Sequence, residues 1–287
     1  MKFEITILIA FLASGPPLCS AWGNMGHEAV AYIATNFVTT PTKTYFQNIL
    51  GDTTTDYLAA VATYADTYRY TTAGLYSKPY HFIDANDSPP SSCSVEYSRD
   101  CGSEGCVVSA IKNYTSRVQS GTLSAANVAQ AAKFVGDIHQ PLHDENLDVG
   151  GNDITVTFDG TSTNLHHIWD TNMPEKYAGG STIAVAKTFA ATLTTAIKTG
   201  KYESDKAGWL TGIDITDPVS TAMVWASDAN SFVCSTVMPN GVSAVEGVDL
   251  GGAYYTAAIP IVEEQIAKAG YRLAAWLNLI ATGSTGL

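Results

Sequence analysis

Charge is scarce in this chain, and most of it has one sign. Charged side chains are 15% of the 287 residues, and 15 lysines and arginines stand against 27 aspartates and glutamates, for a net charge of −12. Affinity for phosphate backbones ordinarily comes from lysine and arginine, so this composition excludes a binder that relies on a basic surface. For a phosphate ester to bind here, a metal ion would have to supply the local positive field.

Long apolar runs, internal repeats, low-complexity tracts and long linkers are also missing. Hydrophobic residues make up 46% of the chain, which predicts a folded protein with a large core and argues against disorder. No segment is long enough in apolar residues to cross a bilayer. The length suits one large domain or two small ones.

The first 21 residues have the pattern of a secretory signal peptide. A short positive start is followed by the apolar run 5–12 and by small residues up to Ala21. The competing interpretation is a membrane anchor or a buried first helix. Cleavage after Ala21 would leave Trp22 as the new amino terminus, at the start of a single domain, 22–287.

Four cysteines and a glycosylation sequon fit the same secretory route. Cys93, Cys101, Cys106 and Cys234 remain after the signal is removed, and four cysteines allow three pairings. The flexible stretch between Cys101 and Cys106 suits a disulfide that closes a small local loop. Cys93 and Cys234 would then form a disulfide between segments distant in the chain. Asn113 begins an Asn-Tyr-Thr sequon.

The apolar spacing is mainly helical. Helices are predicted over 30–37 with Asn24 as N-cap, 58–68, 125–138, 186–197, 218–230 after an Asp217-Pro218 start, and 262–280. One stretch alternates instead and ends in Asp159-Gly160, which predicts a β-hairpin. The expected fold is therefore mainly α with one small β element, and such folds often build metal sites between helices.

Histidines and carboxylates cluster at spacings that suit a metal ion. The chain reads Gly136-Asp137-Ile138-His139-Gln140-Pro141-Leu142-His143-Asp144 and later Asn164-Leu165-His166-His167-Ile168-Trp169-Asp170. His166 and Asp170 would share one helix face, and Pro141 would break a helix and turn its neighbours inward. Zinc takes imidazole nitrogen and carboxylate oxygen together. His139 and His167 are interpreted as groups outside the ligand shell.

Further candidates lie earlier in the chain. Asp66 is next to an apolar stripe and needs a partner, for which Arg69 is the ordinary explanation. His81, Phe82 and Asp84 place an imidazole, an aromatic face and a carboxylate within four residues. A free terminal amine can lose its proton near neutrality, so a new amino terminus could chelate a metal together with the nearby His27.

Together these motifs resemble one family. They are Trp22-Gly23-Asn24-Met25-Gly26-His27, Tyr64-Ala65-Asp66, His81-Phe82-Ile83-Asp84, Gly136-Asp137, Gln140-Pro141-Leu142-His143-Asp144-Glu145 and His166-x3-Asp170. The chain is similar, from residue 22 to about residue 276, to the secreted single-strand-specific zinc nucleases of fungi and plants (class I nucleases). That family is related to bacterial zinc-dependent phospholipase C, so the resemblance implies a single multi-helix domain of this type.

The resemblance also implies ligands and roles. Three zinc ions are expected: the first on Asp66, His81 and Asp137, the second on His143, His166 and Asp170, and the third on His27 and the terminal amine and carbonyl of Trp22, bridged by Asp137. Asp66 and Arg69 would be catalytic, Arg69 by stabilising transition-state charge. Phe82 would stack on a nucleobase and Asp84 would bind its edge. The disulfides would be Cys93–Cys234 and Cys101–Cys106.

The implied function is a secreted, monomeric endonuclease that hydrolyses single-stranded DNA and RNA to 5′-phosphorylated products, with removal of 3′-phosphate from nucleotides as a further expected activity. Zinc would supply activated water and positive charge, and a paired base would have to unstack to reach Phe82. No membrane or protein partner is implied. The alternatives are a phospholipase C-like phosphodiesterase and a zinc-binding homologue with impaired catalysis.

The chain departs from the family pattern at one ligand. Where the family has a histidine one turn before Asp137, this chain has Lys133, as though four residues had been lost between Val135 and Gly136. Such a loss rotates a helix by about 400°, which is about 40° more than a full turn, and shortens it by about 6 Å. The apolar face upstream would therefore return to nearly the same orientation. Either the first zinc site is weakened or the gene sequence was read with a short segment missing. The chain as written is expected to bind zinc less tightly there and to cleave slowly.

Overall fold

The computed structural model describes residues 22–121 and 124–287, so the predicted signal peptide lies outside the described residues. The prediction of a mainly helical fold is confirmed. The α-helices of the described residues are α1 (Asn24–Thr35), α2 (Thr40–Leu50), α3 (Tyr64–Tyr68), α4 (Tyr97–Asp100), α5 (Val107–Gln119), α6 (Ala125–Asp137), α7 (Asp148–Gly151), α8 (Leu165–His167), α9 (Met173–Ala178), α10 (Ile183–Thr199), α11 (Pro218–Phe232) and α12 (Ala253–Thr282).

The long helix α12 forms the centre of the core, and α1 packs directly on it. Gly270 lies at the crossing, where a Cβ would stand 2.5 Å from the Cβ of Ile33. Only glycine permits so close an approach of the two helices. Deeper in the core, the rings of Trp225 and Trp276 pack edge to face, with centroids 5.6 Å apart. This packing fixes α1, and with it His27, relative to the rest of the site.

The predicted hairpin is present and leads into the site. Strands β1 (Thr155–Phe158) and β2 (Thr161–Asn164) pair antiparallel, with Phe158 opposite Thr161. Asp159 and Gly160 form the turn with φ of 50° and 78°, as a two-residue hairpin of the right twist requires. The second strand ends where α8 begins, so the hairpin positions the helix that carries His166.

Several predicted helices are confirmed, and two predictions were wrong in detail. Asp217 caps α11 by accepting from the Ser220 amide. Asn24 is the first residue of α1 and not its cap, a position that Gly23 takes. The predicted helix 58–68 is broken into the 3-10 turn Ala59–Val61 and α3.

Two of the longer helices, α2 and α5, were not predicted from the sequence. Helix α2 buries only Thr42 and Phe46, so its apolar stripe is too short to recognise, although Thr39 accepts from Thr42 N as a cap. Helix α5 has an apolar face that helical spacing could have revealed, with Val107, Ala110 and Ile111 buried. Both helices pack on α6 and so support the helix that carries Asp137.

Two disulfides close the structure, as predicted. Cys101 pairs with Cys106, five residues on, and Cys93 pairs with Cys234, 141 residues on. The sequon residue Asn113 lies half-buried on α5. Nowhere in the described residues is there a helix with the length and apolarity to span a membrane.

Candidate metal centre

Three buried side chains converge as the spacing predicted. His166 ends α8 and Asp170 lies in the π-helical segment that follows, with the His166 Nε2 atom 3.1 Å from Asp170 Oδ2. His143 comes from the 3-10 segment that begins at Pro141, and its Nε2 lies 3.0 Å from His166 Nε2. A single helical turn in π geometry is frequent at functional sites. One ligand atom from each of the three side chains lies within 4.8 Å of the others.

The hydrogen bonds behind these rings show that the group fits a metal ion. His143 Nδ1 donates to the carbonyl of His81 and His166 Nδ1 donates to the carbonyl of Gly150, each at 2.7 Å. In a neutral imidazole the second nitrogen is then unprotonated, so two lone pairs face each other across 3.0 Å. A cation between them resolves that repulsion, and backbone carbonyls are the usual partners of metal-bound histidines.

The carboxylate of this group is also held from behind. Gln140 Nε2 donates to Asp170 Oδ1 at 2.6 Å, and the side-chain oxygen Oε1 of Gln140 accepts from the backbone amide of Leu142. Burial alone would raise the pKa of Asp170, but the adjoining side chains of His166 and His143 outweigh it and hold that pKa below its usual value. The carboxylate is therefore ionised and oriented for ligation.

A left-handed turn places the carbonyl that holds His166. Asp148, Val149 and Gly150 have φ of 49°, 57° and 59°, a conformation that strains a β-branched residue such as Val149. At Gly150 a Cβ would stand 2.7 Å from the Leu142 carbonyl oxygen. Both the positive φ and the close packing therefore require glycine at position 150. The sequence motifs did not predict this role.

A second group of predicted ligands is brought together on the other side of Asp137. His81 Nδ1 lies 2.9 Å from Asp137 Oδ2 and 3.7 Å from Asp66 Oδ1. His27 Nε2 lies 3.3 Å from Asp137 Oδ1. The four side chains come from α1, α3, the 3-10 segment Leu75–His81 and α6. Four of the five residues proposed for the first and third ions therefore have side chains that lie together.

Lys133 occupies the middle of this second group. Its Nζ lies 2.6 Å from His27 Nε2, 2.6 Å from Asp137 Oδ1 and 3.1 Å from Asp66 Oδ1, and its side chain is 1% exposed. Burial and, next to it, the Lys133 charge lower the pKa of His27 to about 3. Burial would raise the pKa of Asp137, but Lys133 and the histidines outweigh it and hold the pKa low.

This second group does not fit a metal ion as it is arranged. His81 Nδ1 lies within hydrogen-bonding distance of Asp137 Oδ2, at 2.9 Å. The His27 nitrogen accepts from an ammonium. The prediction that Lys133 would weaken the first site is consistent with this arrangement, which also involves His27 of the third site.

Close packing brings His27 and Trp22 to this group. Gly136 on α6 has no Cβ, and one placed there would stand 2.8 Å from His27 Nδ1. The Trp22 ring is fully buried and lies against Gly26, where a Cβ would meet it at 2.7 Å. The amide of the next residue, Gly23, donates to the carbonyl of Asp170 at 2.6 Å. The start of the described chain is thereby tied to both ligand groups.

A pocket of about 260 Å³ opens beside the first group. Its lining includes the predicted residues Phe82, Asp84 and Arg69 together with His143 and His166. The amide of Ile83 donates to the carbonyl of His143 at 2.9 Å, so the aromatic segment and the ligand segment form one unit. Desolvation, with help from Asp100, raises the pKa of Asp84.

Sequence reasoning did not assign several residues of the pocket lining, and the structure places one histidine outside the ligand group, as interpreted. Asn152 and Glu145 line the pocket, and burial raises the pKa of Glu145 to about 7. His139 is fully buried and is neither a ligand nor a surface group: its Nδ1 donates to the Val135 carbonyl, and its Nε2 accepts from Arg272. Arg69 is buried at the pocket wall with its guanidinium on Tyr70.

The fold and the ligand group define a mainly helical protein with a buried histidine–carboxylate centre next to an aromatic-walled pocket. Comparison with known proteins specifies the class. Residues 22–282 match the family model described as S1/P1 Nuclease, and the chain belongs to that family.

Two curated relatives show how close the match is. Nuclease S1 of Aspergillus oryzae is 61% identical over 269 residues, which are 92% of this chain and 93% of the relative. Nuclease P1 of Penicillium citrinum is 50% identical over 263 residues, 90% of this chain and 97% of the relative. Among solved structures, the alpha-toxin of Clostridium perfringens aligns with 16% identity and a TM-score of 0.42, over 93% of this chain and 66% of that one.

Proposed function

We propose that the protein is a secreted, zinc-dependent endonuclease that cleaves single-stranded DNA and RNA to 5′-phosphorylated products. The observation that carries this proposal is the position of the pocket. Phe82 and Asp84 line the same pocket as His143 and His166. A base held in this pocket would therefore bring its phosphate to the ligand group. The nuclease names of the two relatives agree with this substrate.

The chain's residues divide into metal-holding and substrate-holding groups. His143, His166 and Asp170 would hold zinc, which supplies a Lewis acid and positive charge for the phosphate. Phe82 would stack on the base and Asp84 would accept hydrogen bonds from its edge. Such contacts need a base that is out of the duplex, and the cost of unstacking explains a preference for single strands.

The positive charge near the phosphate comes from few groups. Arg69 lines the pocket and is buried, which suits a residue that stabilises charge developing on the phosphate. Asp66 is engaged with Lys133 at 3.1 Å and with His81 at 3.7 Å, so its catalytic role would be weakened in this chain. We therefore expect slow cleavage.

The chain would be secreted and trimmed at Ala21, which frees the Trp22 amine that the family uses as a ligand. Both disulfides support an oxidising route. Asn113 would be the glycan acceptor. N-terminal sequencing and mass spectrometry of protein purified from the culture medium of a fungal host test these points, and a mature chain that begins before residue 22 would contradict them.

Substrate assays test the proposed activity. Heat-denatured DNA, RNA, duplex DNA, 3′-mononucleotides and phosphatidylcholine micelles are incubated with purified protein, with and without chelator. We expect cleavage of the single strands, with 5′-phosphate at the new ends, and its loss after zinc removal. Hydrolysis of the phospholipid alone would favour the phospholipase C-like alternative, and zinc binding without any hydrolysis would favour an impaired homologue.

The Phe82→Ala variant tests the pocket. Loss of one stacked base contact is worth about 1–3 kcal/mol, so KM for single-stranded DNA should rise roughly 5- to 150-fold while zinc content stays the same. Tyr177→Ala is the matched control, since Tyr177 is an exposed aromatic outside the pocket lining. Equal effects of the two substitutions would show that the base is not bound by Phe82.

A further inference from the structure

We propose that the Lys133 ammonium is a built-in replacement for metal at the group formed by His27, Asp66, His81 and Asp137, and that the chain binds a single zinc, on His143, His166 and Asp170. The proposal deepens the proposed function, on which it rests for the identity of the metal. Three of the four surrounding side chains contact the ammonium directly.

The ammonium is held from three sides. Lysine has three N–H donors and no acceptor. Two hydrogen bonds go to His27 Nε2 and to Asp137 Oδ1, each at 2.6 Å, and an ion pair joins the ammonium to Asp66 Oδ1 at 3.1 Å. The ammonium is thus surrounded as a metal ion would be, by an imidazole and two carboxylates.

The geometry leaves no place for a second cation on the same atoms. His27 Nε2 and Asp137 Oδ1 are 3.3 Å apart, and both are 2.6 Å from the ammonium. An ion bonded to both at the ~2.1 Å typical of zinc would lie within about 3.3 Å of that ammonium in whatever direction it approached. Two cations at this separation in a buried site repel strongly.

His81, the other histidine of this group, also forms a hydrogen bond. His81 Nδ1 donates to Asp137 Oδ2 at 2.9 Å, so the second oxygen of the same carboxylate is engaged as well. Both oxygens of Asp137 are thus bound by N–H donors, one from Lys133 and one from His81. The carboxylate that should bridge two ions is instead neutralised from within the protein.

The first group is arranged differently. His143 Nε2 and His166 Nε2 lie 3.0 Å apart, and Asp170 Oδ2 lies 3.1 Å from His166 Nε2. Among the described residues, this is the group whose ligand atoms meet the spacing of a metal site. Zinc binding is therefore expected here and not around Asp137.

Zinc stoichiometry tests the proposal without relying on activity. The mature protein and its variants are dialysed to equilibrium at buffered free zinc, and zinc per chain is measured by inductively coupled plasma mass spectrometry. We expect about one zinc per chain in the unaltered protein. Lys133→His removes the ammonium and adds a ligand, and should raise the count by one or two.

Two further variants keep the result interpretable. Lys133→Met removes the charge without adding a ligand and should also raise the count at high free zinc. Lys268→Met is the matched control, because Lys268 is another buried, ion-paired lysine, bound to Asp228 and Glu264, and its count should stay at one. Circular dichroism confirms that each variant is folded.

The outcomes separate this proposal from the proposed function. Two or three zincs in the unaltered chain, or a count that stays at one in both Lys133 variants while they remain folded, would overturn the inference whatever the activity. One zinc per chain with no cleavage of nucleic acid would leave the inference intact and contradict the function.

Discussion

Lys133→Met should destabilise the protein strongly when zinc is absent. The substitution keeps a long unbranched side chain and removes the ammonium. His27 Nε2 and Asp137 Oδ1 then lose a hydrogen bond of 2.6 Å each, and Asp66 loses an ion pair of 3.1 Å. Asp137 is fully buried, so water cannot replace the lost partner without opening the site.

The expected loss follows from the burial of this charge pair. Removing one member of a buried ion pair costs about 3–5 kcal/mol, because the other charge is left uncompensated. For a chain of this size, each kcal/mol moves Tm by roughly 2–4 °C. Lys133→Met should therefore lower Tm by about 6–20 °C in the presence of chelator.

Zinc should then rescue the variant more than the parent protein. In Lys133→Met the carboxylates and imidazoles around the removed ammonium become available to a metal ion, and binding to the folded state alone raises its stability in proportion to ln(1 + [Zn]/Kd). Differential scanning fluorimetry with chelator and with a zinc titration measures both effects. Lys268→Met is the control. Zinc should raise the Tm of this variant by no more than it raises the Tm of the parent protein.

The reasoning fails if Lys133→Met melts within about 2 °C of the parent protein in chelator. Such a result would mean that the ammonium does not compensate Asp137. A large loss without zinc rescue would mean that the emptied group cannot accept a metal, and that Lys133 has only a structural role.

The remaining predictions concern the turn and the disulfides. Gly150→Ala should weaken zinc binding roughly 10- to 100-fold by calorimetry, because it moves the carbonyl that orients one histidine ligand, and an unchanged Kd would contradict that role. Loop entropy predicts a loss of about 5 kcal/mol for Cys93→Ser with Cys234→Ser and about 2 kcal/mol for Cys101→Ser with Cys106→Ser. Denaturant unfolding checks this order, and a larger loss for the short loop would contradict it.

Part of the candidate site could be predicted from local spacing. The pair His166 and Asp170 could be placed on one face by helical periodicity alone. Gly150 was missed because a left-handed turn has no periodic signature. Asn152 was missed because its place in the pocket lining depends on the tertiary fold. Gly136 was read only as part of a motif, whereas its contact with His27 depends on how α1 packs on α6, which no local pattern encodes.

Lys133 also explains how the fold tolerates the altered helix. Loss of a metal ligand from a buried site with two carboxylates would normally leave Asp66 and Asp137 to repel each other, at a cost that a marginally stable protein cannot bear. An ammonium four residues before Asp137 on the same helix reaches that carboxylate at 2.6 Å. It supplies +1 where two zinc ions would supply +4. On the proposal that Lys133 replaces metal, this charge compensates the carboxylates but supplies no Lewis acid, so the fold would be kept at the expense of part of the chemistry.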